Sequence, residues 1–180
     1  MSHYAVTAVG ADRPGIVAAV TAVFLENSCN VEDSAMTILR GHFAMMMVVD
    51  APRGLSAAKL KSALSEPAAV LDLMVAVRPI ADLMAGAGSS AGGAYTVSVH
   101  GADHPGIVHG VASLLAANQV NIVDMSTRVV GEADRHVYAM VMEVDFPPGL
   151  DPDELARQLG ELAEGLDVSC SLHPSEADIL

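Results

Sequence analysis

The sequence predicts an α+β fold made of one small module written twice, each copy an antiparallel sheet with both helices on one face. Three observations carry that reading. Gly10-Ala11-Asp12-Arg13-Pro14-Gly15-Ile16-Val17 returns as Gly101-Ala102-Asp103-His104-Pro105-Gly106-Ile107-Val108, an offset of 91. The same offset carries Tyr4 onto Tyr95, Asn27 onto Asn118, Asn30 onto Asn121 and Asp33 onto Asp124. Strand-like and helix-like apolar patterns also follow one another in the same order in both copies, and such a repeat fixes the architecture before any local assignment.

In the first copy Tyr4 to Val9 reads as a short strand. Ile16, Val17, Val20, Val23 and Phe24 then recur at helical spacing behind Pro14, and the second copy repeats this face as Ile107, Val108, Val111, Leu114 and Leu115. Asn30 to Leu39 and Phe43 to Asp50 form two strands around Arg40-Gly41-His42, a tight hairpin signal. Ser56 to Leu64 reads as a helix, as does Asp151 to Leu162, which opens with an Asp N-cap, Pro152 at the first helical position and Glu154 behind it. Val70 to Val77 and Leu166 to Leu172 supply the last strands. The order is βαββαβ in each copy, the ferredoxin-like arrangement.

Asp50 to Leu55 matches Asp145 to Leu150 at an offset of 95, so the second copy holds four extra residues, placed around Gly131 to Arg135 where the chain turns back. Ala85 to Ala94 is a Gly/Ser/Ala run. The division predicted is therefore 1–80 for the first module, 81–94 for a linker and 95–180 for the second module.

Composition narrows the function. Apolar residues make up 52% and charged residues 17%, enough for packed cores, and with 3% aromatics those cores must be built from Val, Leu, Ile, Ala and Met. The net charge of −13 is uneven: residues 1–94 carry 8 acids against 6 Lys and Arg, residues 95–180 carry 14 against 3. A nucleic-acid binder needs a basic footprint, so direct nucleic-acid contact is not expected. No secretory leader or membrane segment is expected either, because charged residues such as Arg40, Asp72 and Arg78 interrupt every apolar stretch before about 18 residues. Cys29 and Cys170 stand at non-equivalent places and form no CxxC, which reads as two ordinary buried thiols in a reducing cytoplasm.

Both copies pass from first strand to first helix through Gly-Ala-Asp-x-Pro-Gly. A helix N-terminus offers unpaired N–H groups and partial positive charge to a carboxylate, and glycine lets a ligand approach the backbone. Asp12 and Asp103 add a carboxylate able to accept from an ammonium group, so an amino acid would complement the pair. The alternative is structural: Asp caps the helix, Pro starts it and Gly eases the turn.

These residues resemble the ACT domain family of small regulatory βαββαβ modules, whose pattern is (N/D)-x-P-G in the first loop and Asn-(Val/Ile) after the first helix. Here the matches are Asp12-Arg13-Pro14-Gly15 with Asn30-Val31, and Asp103-His104-Pro105-Gly106 with Asn121-Ile122. Two such modules with no catalytic domain attached are similar to the glycine cleavage system repressor type within that family. The resemblance implies an effector seated between paired modules and touching Asp12, Pro14, Gly15, Ile16, Asn30 and Val31, and in the second copy Asp103, Pro105, Gly106, Ile107, Asn121 and Ile122. Where the amino-acid-binding pattern has His-x-Asn-x-Pro-Gly, this chain has Gly10-Ala11-Asp12 and Gly101-Ala102-Asp103, and the identity of the effector is left open.

Rival chemistry is weak. His100, His104 and His109 are close in sequence, but strand end, loop and helix do not collect them on one face, so no metal is expected. Neither cysteine has an activating His at a familiar spacing, and neither a G-x-S-x-G elbow nor a phosphate loop occurs. The expectation is a non-enzyme without cofactor that senses a small metabolite, an amino acid by preference, and acts through a partner protein. An assembly or regulatory subunit of a metabolic enzyme that holds no ligand is the alternative.

A homodimer is expected as well. Phe43-Ala44-Met45-Met46-Met47-Val48-Val49 has no polar residue at either parity, so both faces of this strand need cover. The matching strand in copy two keeps Glu143 and Asp145 and reads as partly wet. The linker or C-terminal tail draped over the face is the alternative cover.

Overall fold

The computed structural model describes residues 2–80, 92–130 and 137–175. The chain falls into two compact units, Met1–Ala87 and Gly88–Leu180. The first runs β1 (Ser2–Ala11), α1 (Ile16–Glu26), β2 (Asn30–Leu39), β3 (His42–Ala51), α2 (Ala57–Leu71) and β4 (Leu73–Ile80). The second runs β5 (Ala94–Gly101), α3 (Ile107–Ala117), β6 (Asn121–Val130), β7 (Val137–Asp145), α4 (Pro152–Gly165) and β8 (Val168–Pro174). Each unit holds a four-stranded antiparallel sheet, ordered β2-β3-β1-β4 and β6-β7-β5-β8. The predicted βαββαβ order and fold class are therefore found twice. The predicted linker lies largely outside the described residues, as does the insertion at Gly131 to Arg135.

Strand periodicity decides which face is buried. In β1 Tyr4, Val6 and Ala8 point to the helices, and in β3 so do Phe43, Met45, Met47 and Val49. Ile16, Val20, Val23 and Phe24 of α1 and Leu60 and Leu64 of α2 close over them. The second core repeats the plan with Val97 and Val99 of β5 and Tyr138, Met140, Met142 and Val144 of β7. Ile107, Val111 and Leu115 of α3 and Leu155 and Leu159 of α4 cover those strands.

Local chemistry explains the joints. Arg40 and Gly41 both have positive φ, 49° and 80°, as a two-residue hairpin with the right twist requires. One residue bulges from each outer strand, between Val31 and Asp33 in β2 and between Ile122 and Asp124 in β6. Asn27 and Asn118 end the first helix of each unit, their side-chain amides donating to the carbonyls of Val23 at 2.8 Å and Leu114 at 3.0 Å. Their recurrence is structural.

Two boundaries differ from the sequence reading. Helix α2 passes through Pro67 to Leu71 instead of ending at Leu64, because Leu60, Leu64 and Ala68 keep one buried stripe across the proline. Asp72 then reverses the chain with φ 55°, so β4 starts at Leu73 and leaves Val70 73% exposed on the helix. In the second unit α4 likewise runs on to Gly165, and β8 begins at Val168 after Asp167 at φ 51°.

Candidate functional site

The two helices of each unit begin differently. Helix α2 is capped by Ser56, whose Oγ accepts from the Lys59 amide at 3.3 Å, and α4 by Asp151, whose Oδ1 accepts from the Asp153 amide at 3.0 Å. Helices α1 and α3 have no side-chain cap; their N-cap residues are Gly15 and Gly106, in the left-handed region at φ 95° and 108°. Neither helix has an acidic residue in its first turn. Their first intrahelical bonds, Ala19 N–H to Gly15 O at 2.9 Å and Gly110 N–H to Gly106 O at 2.8 Å, leave the preceding amides without an intrahelical acceptor. Asp12 and Asp103 therefore do not cap the helices, and the structural alternative for these aspartates is set aside.

The repeated glycines divide into two kinds. A Cβ on Gly10 would come within 2.7 Å of the Asp72 carbonyl oxygen, and one on Gly101 within 2.8 Å of Val168, so these two serve the close approach of the first and last strands. Any side chain at Gly10 would force a backbone shift, a cost that a histidine there would carry. A Cβ on Gly15 or Gly106 would meet nothing within 4 Å. Those glycines supply positive φ and open access to the helix start.

Asp12 is held by its own amide, which donates to the Gly41 carbonyl at 2.9 Å and ties the loop to the β2–β3 hairpin. Beside it lies an open cleft of about 530 Å³ lined by Asp12, Arg13, Gly15, Ile16, Val17, Ala18, Met36 and Phe43. The wall is mostly apolar, with a carboxylate and the helix N-terminus at the rim. Of the predicted residues, Asp12, Gly15 and Ile16 thus share one cleft, with Pro14 between them in the same exposed loop. Asn30 and Val31 do not join them. Asn30 pairs with Asp50, which pairs with His3, whereas the loop follows Ala11 at the other end of β1. Eight strand residues at a rise of roughly 3.3 Å put the two groups about 26 Å apart in one module.

In the second unit Asp103, Pro105 and Gly106 are exposed at the start of α3, and Ile107 is buried in the core. Asn121 pairs with Asp145, again at the far end of the sheet. His104 takes the place of Arg13, with Nε2 2.6 Å from the Leu166 carbonyl oxygen and Nδ1 3.1 Å from that of Pro105. Two carbonyls facing one ring favour the imidazolium; Pro105 raises the pKa most, then Leu166, with Asp103 and Asp167 adding to it. The link from loop to α4 joins residues 62 apart, and no local pattern announces it. His100 and His109 are exposed, and among the described residues no three His, Cys, Asp or Glu cluster as metal ligands. Both cysteines are free and half-buried, and burial raises both thiols, Cys170 to about 11, well above the range of activated cysteines.

The ACT domain signature matches residues 3–78 and again residues 95–163. The chain belongs to the ACT domain family. Its two ACT modules are similar to the glycine cleavage system transcriptional repressor of Escherichia coli, 31% identical over 132 residues that cover 70% of this chain and 65% of the repressor. A UPF0237 protein of Methanopyrus kandleri is 42% identical over 79 residues, 43% of this chain and 88% of that protein. Among solved structures, an unknown protein from Galdieria sulphuraria matches with a TM-score of 0.80 at 28% identity, covering 97% of this chain and 99% of the other. ACT modules are regulatory units. Among the described residues no helix is long and apolar enough to cross a membrane.

Proposed function

We propose that this tandem ACT protein is a non-catalytic regulator in the cytoplasm that binds a zwitterionic amino acid and works as a homodimer through a partner protein. One observation carries the reading: in each module the second helix is capped by a side chain, while the first opens on a glycine, with no cap and a carboxylate beside it. A glycine N-cap gives up only about a few tenths of a kcal/mol relative to a side-chain cap, and it leaves the first amides of both helices open to a bound carboxylate.

The ligand's carboxylate meets the first amides of α1 or α3, and its ammonium group meets Asp12 or Asp103. Its side chain lies along the apolar wall formed by Ile16, Met36 and Phe43. Asn30 and Val31, like Asn121 and Ile122, sit at the far end of their own sheets, out of reach of a ligand held by the loop of the same module. Binding that favours one conformation of the protein gives a differential affinity that a partner protein can read. Likeness to the E. coli repressor supports gene expression in amino-acid metabolism as the output. The acidic balance supports action through a protein and not by direct contact with nucleic acid.

Thermal denaturation against a panel of amino acids tests this, after mass spectrometry has established whether the purified protein carries a ligand. At a hundredfold excess over Kd a true effector stabilises by about 2.7 kcal/mol, a shift of several degrees for a module of this size. Ligand-free protein that shifts with no member of the panel would overturn the proposal and leave an assembly role in its place.

A further inference from the structure

The sheet face turned away from the helices differs between the two modules. In the second it carries Thr96, Ser98 and His100 on β5, Val137, Ala139, Val141 and Glu143 on β7, and Ser169 and Ser171 on β8, a mixed surface with polar β5 and β8 rows. In the first the corresponding positions are Ala5, Thr7 and Val9 on β1, Ala44, Met46 and Val48 on β3, and Met74 and Ala76 on β4. Met46 is 52% exposed although its chain neighbours Met45 and Met47 are core, and Met74 is 78% exposed. A contiguous apolar face of this kind marks a candidate interaction surface.

We propose that this face packs against the same face of a second copy about a twofold axis running parallel to the strands. The proposal deepens the dimer named above and does not depend on the effector. The register selects the axis. Rotation about a line along the strands, between β3 and β1, lays β2 over the partner's β4 and β3 over its β1 while each cross-strand row faces itself reversed. One row reads Asp33, Val48, Ala5, Arg78; the next Ala35, Met46, Thr7, Ala76; the third Thr37, Ala44, Val9, Met74. Reversal sets Val48 on Ala5, Met46 on Thr7, Val9 on Ala44 and Met74 on Thr37. Each large side chain meets a smaller one, the alternation that lets packed sheets interdigitate. At the ends of the first row it sets Asp33 over the partner's Arg78, twice by symmetry.

Charge points the same way. The first 94 residues hold 8 acids and 6 bases, whereas the remainder holds 14 and 3, so contact through the first module brings together the nearly neutral halves of two acidic chains. Four strands at about 4.8 Å and some seven residues at about 3.3 Å give on the order of 900 Å² for both copies, the scale of a weak, micromolar association. Packing on this face leaves the β2 backbone edge and the Asp12 loop free for the effector.

Sedimentation of the full chain between about 1 and 100 μM tests the interface. The wild type is expected to form dimers, and Met46→Glu, which places a charge at the centre of the face, to be monomeric with an unchanged circular dichroism spectrum. Asp33→Arg and Arg78→Asp should each raise the dimer dissociation constant about tenfold, and the double reversal should restore it to within about threefold of wild type. Within one module the two residues stand three strand spacings, about 14 Å, apart, so the rescue has to come from a partner. A monomeric wild type, a Met46→Glu dimer as tight as wild type, or a double reversal no better than the singles would each overturn the proposal. The first of these outcomes would mean that the face is covered from within the chain.

Discussion

His104 Nε2 lies 2.6 Å from the carbonyl oxygen of Leu166, at the C-terminal end of α4, and so pins the loop ahead of α3 to the helix beside it. With Nδ1 3.1 Å from the Pro105 carbonyl, both ring nitrogens donate only when the ring is charged. The folded-state pKa is raised above the ordinary 6.5, chiefly by Pro105 and then Leu166. The linked stability is therefore fully present below pH 6.5 and is lost as pH rises through the folded value. Acidification from about pH 8 to pH 6 should stabilise the second module, and His104→Asn should remove that part of the gain. An NMR titration of the ring checks it: the midpoint is expected above 6.5, and a midpoint at or below 6.5 contradicts the link.

Gly10 and Gly15 should respond in opposite ways to the same substitution. Gly10→Ala drives a methyl group to 2.7 Å from the Asp72 backbone, and an overpacked site of this kind costs about 1–3 kcal/mol with little effect on ligand affinity once folded. Gly15→Ala meets no neighbour but forces a left-handed φ of 95° on an L-residue, costing about 1 kcal/mol. It also puts a side chain where the ligand must approach, so here the affinity should fall. Urea unfolding and ligand titration of both variants separate packing from access.

The buried Tyr4 hydroxyl donates to the Leu55 carbonyl at 2.6 Å and ties β1 to the chain just ahead of α2. Tyr4→Phe should cost about 1 kcal/mol, the net worth of such a bond, measured as a lower urea midpoint with an unchanged m-value. Tyr95, its counterpart, stacks on Phe146 at 4.1 Å, so Tyr95→Phe should cost less.

Much of this architecture was legible because repetition and periodicity are local. Val20 and Phe24 mark the buried side of α1 by spacing alone, and Asn30 to Leu39 was bounded correctly by the Asn and by the Arg40-Gly41 turn. The end of α2 lies past the predicted Leu64, because burial of Ala68 carries the helix through Pro67 against local propensity. At the site, Asp12, Gly15 and Ile16 were readable from one loop, but the positions of Asn30 and Asn121 at the far end of each sheet follow only from strand pairing. The different duties of Gly10 and Gly15 depend on contacts with residues some sixty positions away or on open space, and the loop sequence records neither. The His104–Leu166 link is hidden for the same reason.

Calorimetric titration of the effector into wild type, Asp12→Ala and Asp103→Ala is the most direct measurement. If the loops hold a zwitterion by its ammonium group, each substitution should weaken binding at its own site by about 1.5–3 kcal/mol, the worth of a hydrogen bond to a charged group. The ligand-free melting temperature should stay where it is, because neither aspartate caps a helix. Unchanged affinity in both variants, or a loss of fold with no separable loss of binding, would contradict the assignment of these loops as the effector site.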